Sequence, residues 1–253
     1  MALRAMLYRR PTEPQAIEVV SAGSFYLVRL RRHRQARRYT LRIQAATREV
    51  VLTMPPRGSL NEARALADKH SAWIAARLGR LAEALPFRDG IELPLRGATH
   101  RIVHRAQRRG TVWTETDWRG NRLICVAGDR PHLARRVGDF LRREAKRDLE
   151  AASRKYAERL GVALKRVCVR DQTSRWGSCT MSGHLSFSWR LIMAPSYVLD
   201  YLAAHEVAHL REMNHSRRFW RLCEALCPQT RQARAWLNAE GAKLHAIGCQ
   251  RDG

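Results

Sequence analysis

Apolar and polar positions alternate in short runs along the first part of the chain. Phe25, Leu27 and Leu30 belong to one run and Tyr39, Leu41 and Ile43 to another. Val50 to Met54 form a third, which Pro55 and Pro56 end. Such alternation predicts half-buried strands. The segment RLRRHRQARR between the first two reads as a basic turn or hairpin loop. The period then changes to that of a helix. Ala63, Leu66, Ala67, Ile74, Leu78 and Leu81 recur at helical spacing behind Ser59 and Glu62, an S-x-x-E capping box. Two more β-like stretches follow at 91–104 and 111–127, with a turn at 118–121.

A long helix comes next, opened by Pro131 and stopped by Gly161, with Leu133, Val137, Phe140, Leu141 and Leu149 as its apolar stripe. Residues 166–193 predict a hairpin. Val167 and Val169 lie in its first arm, and its turn is at 180–183. In its second arm Leu185, Phe187 and Trp189 alternate with Ser186, Ser188 and Arg190. Pro195 starts another helix. The pattern predicts an α+β fold with a β-rich N-terminal half containing one helix.

Length and composition fit one large globular domain or two small ones: 253 residues, 45% apolar and 28% charged. Charge changes the picture. There are 47 Lys and Arg against 23 Asp and Glu, a net charge of +24. A field this positive attracts polyanions, so non-specific nucleic acid is a candidate partner beside a plain solvated basic surface. The N-terminus has no apolar h-region, so no signal peptide is expected. The most apolar run, near 191–202, is broken by Pro195 and Asp200 and is too short to span a bilayer. Six scattered cysteines form no small disulfide framework, which favours a reducing compartment; a cytoplasmic protein is expected. Cys223 and Cys227 read as a buried thiol pair rather than a shared metal site, because the usual Cys-x-x-Cys spacing is absent.

The helix after Pro195 carries His205-Glu206-Val207-Ala208-His209, an H-E-x-x-H motif. At about 100° per residue the two histidines stand about 40° apart, one turn offset, so both imidazoles can reach one tetrahedral ion. Glu206 sits beside them, placed to take a proton from a metal-bound water. Ten His and 14 Glu in 253 residues give roughly 0.02 chance matches, which makes the motif informative. Without a metal, a buried Glu between two buried His would be costly. Leu199, Ala203, Val207 and Leu210 supply the face that buries the helix.

A third ligand is needed. His215 lies six residues past His209, so the chain must leave the helix and double back, with Met213-Asn214 as the expected exit through a left-handed Asn. The H-E-x-x-H-x5-H spacing is that of metzincins, although Glu212 stands where their turn glycine would be. Glu224 is the alternative third ligand. His184, Arg175, Tyr197 and Tyr201 are candidates for stabilising an oxyanion.

The segment HEVAHLREMNHSRRFW, preceded by QTSRWGSCTMSGHLSFSWRLIMAPSYVLDYLAA, resembles the YgjP-like metallopeptidases, which sit with the broader SprT-like and WLM-like zinc proteins. RRYTLRI, VVLTMPPRGSL and HSAWIAARL extend the likeness into the N-terminal half, so that it runs from about residue 25 to 245. The resemblance implies one zinc ion on His205, His209 and His215, with Glu206 as the catalytic glutamate. It implies a zincin-like catalytic half, with the H-E-x-x-H helix packed on a small antiparallel sheet. The expected organisation is a leader over 1–20, a β-rich part over 21–130 and a metallopeptidase part over 131–248, the last two forming one YgjP-like domain. The expected activity is hydrolysis of peptide bonds in a peptide or protein. The runner-up is a nucleic-acid-associated zinc protein, or a protease acting on proteins bound to nucleic acid. An extended substrate is expected to add to the strand from Gly183 to Leu191.

Overall fold

The structure, a computed structural model, describes residues 14–44, 47–79, 81, 83–108, 110–172 and 175–248. They fall into two compact units that part at residue 80.

The first unit is a four-stranded sheet with two helices. Its strands are β1 (Ala16–Ser21), β2 (Ser24–Arg32), β3 (Thr40–Ile43) and β4 (Val50–Met54), in the order β1-β2-β4-β3. β1 and β2 form a hairpin across Ala22 and Gly23, both at positive φ (49° and 77°), as a tight two-residue turn requires. β4 runs parallel to β2 and antiparallel to β3. Ile17, Val19, Val28, Leu52 and Met54 on one face pack with Ala63, Ala67 and Ile74 of α1 (Leu60–Lys69) and α2 (Ser71–Gly79). The expected single helix is therefore two, parted at His70. Ser59 caps α1 by accepting the Asn61 N–H at 3.2 Å. Glu62 does not complete a capping box; it accepts the Tyr39 hydroxyl at 2.6 Å.

Two expectations about organisation give way here. The last residues of the expected leader form β1, because Ile17 and Val19 have a core to enter. The division falls near residue 80 rather than 130, because Ile124 and Val126 share one core with Leu133, Val137 and Leu141 beyond it.

The second unit opens with a repeat of the same topology. β5 (Glu92–Leu95), β6 (Ala98–Arg105), β7 (Val112–Thr116) and β8 (Arg122–Ala127) are ordered β5-β6-β8-β7, with the same senses of pairing. The first hairpin again turns on two positive-φ residues, Arg96 (52°) and Gly97 (78°). After a 3-10 turn, α3 (Leu133–Leu160) ends on Gly161 in the left-handed conformation, as its sequence predicts.

The remaining elements are β9 (Arg166–Arg170), β10 (Gly177–Cys179), β11 (His184–Ser188), a 3-10 turn (Trp189–Met193), α4 (Ser196–Ala208), α5 (Arg217–Leu226) and α6 (Thr230–Leu244). The hairpin is β10–β11; β9, expected as its first arm, runs parallel to β11. The sheet is therefore mixed, and β11 is its central strand. The residues before β11 reverse twice, which leaves Val167 and Val169 pointing along it.

The repeat fastens the start of α4. Arg96 and Gly97 donate their N–H groups to Ile192 and Met193 at 2.7 and 3.3 Å. The Arg96 side chain reaches Glu144 at 2.7 Å and Asp148 at 2.6 Å on α3. A Cβ at Gly97 would stand 2.9 Å from the Pro195 Cα, so only glycine allows this approach. Tyr156 of α3 donates its hydroxyl to Asp200 of α4. No helix among the described residues is long and apolar enough to cross a membrane.

Candidate metal centre

α4 is apolar nearly all round. Val198, Leu199, Ala203, Ala204, Val207 and Ala208 are buried against α3, α5 and α6, which fixes the helix and the histidines at its end. The helix ends at His209, whose N–H still bonds to the His205 carbonyl. A short turn follows, with the Glu212 N–H on the Ala208 carbonyl at 2.9 Å. The exit does not use a left-handed Asn214; none of the described residues from His209 to His215 has positive φ. The chain instead folds back because Ser216 caps α5, accepting the Phe219 N–H at 3.3 Å. His215 is thereby held just outside the N-terminus of α5.

The structure brings His205, His209 and His215 together, with one candidate ligand nitrogen from each within 4.8 Å of the others. Nε2 of His215 stands 3.1 Å from Nε2 of His205. Two nitrogens bound tetrahedrally at the usual zinc–nitrogen length lie about 3.3 Å apart, so the spacing and the donor set fit zinc. The far nitrogens are engaged: Nδ1 of His205 lies 3.2 Å from the Tyr201 hydroxyl, and Nδ1 of His209 lies 3.1 Å from the Glu212 carbonyl. Such outer contacts fix the tautomer and aim Nε2 inward. Burial, aided by the neighbouring His209 and His215, pushes the His205 pKa down to about 3. His205 is thus neutral at ordinary pH, the form that binds metal.

Glu206 is 4% exposed, and among the described residues no donor reaches its carboxylate. Burial pushes its pKa up to about 8, and the charge of Arg175 pulls the other way. Its room comes from Gly177 in β10, whose missing side chain would collide with the carboxylate. Gly177 is thus a close-approach glycine. Trp176 beside it packs by stacking on His245, with ring centres 4.6 Å apart.

Other sequence candidates lie elsewhere. Glu224, the alternative ligand, pairs with Arg231 at 3.2 Å and is outside the histidine cluster. Tyr197 lines a cleft with Asp148, Lys155 and Asp200. His184 opens β11, its Nδ1 3.3 Å from the Ser182 hydroxyl in the turn before it. Cys223 and Cys227 are buried free thiols.

Phe219 and Trp220 went unnoticed in the sequence. Phe219 is fully buried, and its ring centre lies 4.9, 4.5 and 4.8 Å from those of His205, His209 and His215. Trp220 stacks on His215 at 5.6 Å, and Arg234 lies over its ring at 4.1 Å. The available signal was spacing: Phe219 follows His215 by four residues at the start of an amphipathic helix.

A family model described as "YgjP-like, metallopeptidase domain" matches residues 37–240. No curated protein and no solved structure gives a match.

Proposed function

The chain belongs to the YgjP-like metallopeptidase family, and from that premise we propose that it is a zinc-dependent peptidase with Glu206 as general base. The observation that carries this reading is the convergence of His205, His209 and His215, with two Nε2 atoms 3.1 Å apart, beside a buried carboxylate. The three histidines would hold one zinc ion per chain. Once bound, zinc supplies Lewis acidity, acidifying water and polarising a carbonyl oxygen.

The chain's own groups do the rest. Glu206 takes a proton from water and returns it to the leaving amine. To do so it must be ionised, and burial alone opposes that. Arg175 favours the carboxylate, and a cation among the histidines would add to that pull. Phe219 and the apolar flank of α4 exclude water from beneath the histidines, which strengthens charge interactions there.

The expected place for the substrate needs correcting. β11 is paired on both sides, so no chain can add to it. β10 and β9 are the two edge strands of this sheet, and it is β10 that runs past Glu206. Ser188 donates to the Trp176 carbonyl and Thr180 to the His184 carbonyl, so residues 176, 178 and 180 face β11. By the antiparallel alternation, Gly177 and Cys179 present their N–H and C=O groups to the open edge. An extended peptide pairing with those groups would lie across Glu206.

The test is metal analysis with a peptide-library digest of the wild-type protein and of Glu206→Gln. We expect about one zinc per chain in both, and hydrolysis lower by about 10²-fold or more in the variant. Equal cleavage by the two proteins would refute the role of Glu206. Absence of zinc from both would refute the metal.

A further inference from the structure

The two four-stranded sheets share a topology but not the character of their open faces. On the second sheet the charges cancel. Arg101 pairs with Glu92 at 3.4 Å and Arg105 with Glu115 at 3.3 Å, and Trp113 is tied down by its Nε1–H on Glu115 at 2.9 Å.

The first sheet is different. Strand register places Val20 opposite Phe25, Arg29 opposite Val51, and Val51 opposite Arg42. Phe25, Leu27, Arg29 and Arg31 alternate along β2 on the face turned away from α1 and α2. Phe25 is 73% exposed, Leu27 63% and Val20 55%. The sequence pattern suggested a buried role for Phe25 and Leu27; Val28 enters the core instead. Beside this apolar patch stand the arginines, with one exposed acid, Glu18, opposite Leu27. Arg29 meets half-buried Glu49 at 2.8 Å, while Arg31 and Arg42 form no ion pair among the described residues. Residues 14–79 carry twelve Lys and Arg against four Asp and Glu.

We infer that the open face of β1, β2, β4 and β3 is a platform for single-stranded nucleic acid. Its juxtaposed parts match that ligand's two components. An exposed aromatic ring on a sheet offers a base a stacking surface, and arginines in adjoining rows offer charge to the phosphates. A duplex holds its bases stacked on one another and could use only the arginines. A second copy of this chain would bring like charge against like. The inference does not depend on the zinc reading, since its readout needs neither metal nor turnover.

The experiment measures fluorescence anisotropy of labelled oligothymidylate, oligouridylate and a DNA duplex of equal length with the full chain. Both single strands should bind more tightly than the duplex, and their ranking tells DNA from RNA as the preferred form. Phe25→Ala should weaken single-strand binding about tenfold while Phe25→Trp keeps it. The double variant Arg31→Glu, Arg42→Glu should weaken it further and flatten the salt dependence of log K by about 1.4, at roughly 0.7 per phosphate contact in a single strand. Arg101→Gln on the second sheet should change little. Thermal melts of all variants should match the wild type, because every substituted position is exposed. Equal affinity for duplex and single strand, or unchanged binding by Phe25→Ala, would overturn the platform. So would wild-type affinity in the double arginine variant.

Discussion

A Cβ atom at Gly177 would collide with Oε1 of Glu206, so the backbone of β10 and the carboxylate of α4 share a space that admits no side chain. The edge of the sheet thus sets where this carboxylate lies. Gly177→Ala should displace Glu206 while leaving the histidines in place. We expect zinc content to stay normal and peptide cleavage to fall by about 10²-fold, the scale set by losing a positioned base. Retained cleavage would mean that Glu206 has another place to go.

Replacing His205 or His209 by Ala should abolish tight zinc binding, and His215→Ala should weaken it strongly. Glu224→Ala should leave zinc affinity unchanged, because Glu224 faces Arg231 instead. Removing the metal by chelation should lower the melting temperature of the wild-type protein, since an ion bound only to the folded state stabilises it. Isothermal titration and thermal melts read both effects. Loss of affinity in Glu224→Ala would reverse the choice of third ligand.

With Nε2 of His205 turned inward, its Nδ1–H donates to the Tyr201 hydroxyl at 3.2 Å. Tyr201→Phe removes the acceptor and little else. Zinc affinity should fall about tenfold, the lower end of what losing such an outer partner costs. A chelating dye in competition measures it, and an unchanged dissociation constant would show that the packing of His205 suffices.

Cys179 offers its N–H to the open edge of β10, whereas Ser178 uses its own to hold β11. Proline has no N–H to give. Cys179→Pro should reduce peptide cleavage tenfold or more at normal zinc content, a rough scale for losing a main-chain hydrogen bond to substrate. Ser178→Pro should lower the melting temperature as well. Cleavage unaffected by Cys179→Pro would place the substrate elsewhere.

Burial pushes the thiols of Cys125 and Cys223 from 9.0 up to about 11; Glu115 adds to the rise at Cys125. In the unfolded chain they ionise earlier. Their contribution to stability is complete below pH 9 and is lost as pH rises toward 11, because the unfolded state sheds protons that the folded state keeps. Between about pH 8 and 10 the two should cost on the order of 2 kcal/mol of stability. Urea unfolding at both values checks this against Cys125→Ala, Cys223→Ala, which should lose less. An identical decline in both proteins would contradict it.

The site was legible where chemistry is local. The motif places His205, Glu206 and His209 by helical geometry alone, and the six-residue step to His215 demands a chain reversal. How the chain reverses was not legible, because it depends on the Ser216 cap and on turn geometry that no period encodes. Alternation found most strands but not their partners. Val167 and Val169 read as a hairpin arm because adjacent runs usually pair antiparallel; only the tertiary fold makes β9 parallel to β11. Alternation also cannot say which of two faces is covered, so Phe25 and Leu27 looked like core positions. The repeated sheet topology was hidden because pairing order can recur without recurrence of the side chains.

The two hairpins built on Ala22-Gly23 and Arg96-Gly97 have the same turn yet differ in what they will bear. The tip at Gly23 has open space around it, so extra residues there would lengthen a loop and leave the sheet below intact. The tip at Gly97 rests on Pro195, one residue before the helix that ends in His205 and His209. An insertion there would lever that helix from its starting point, so one tip suits an affinity tag and the other forbids it.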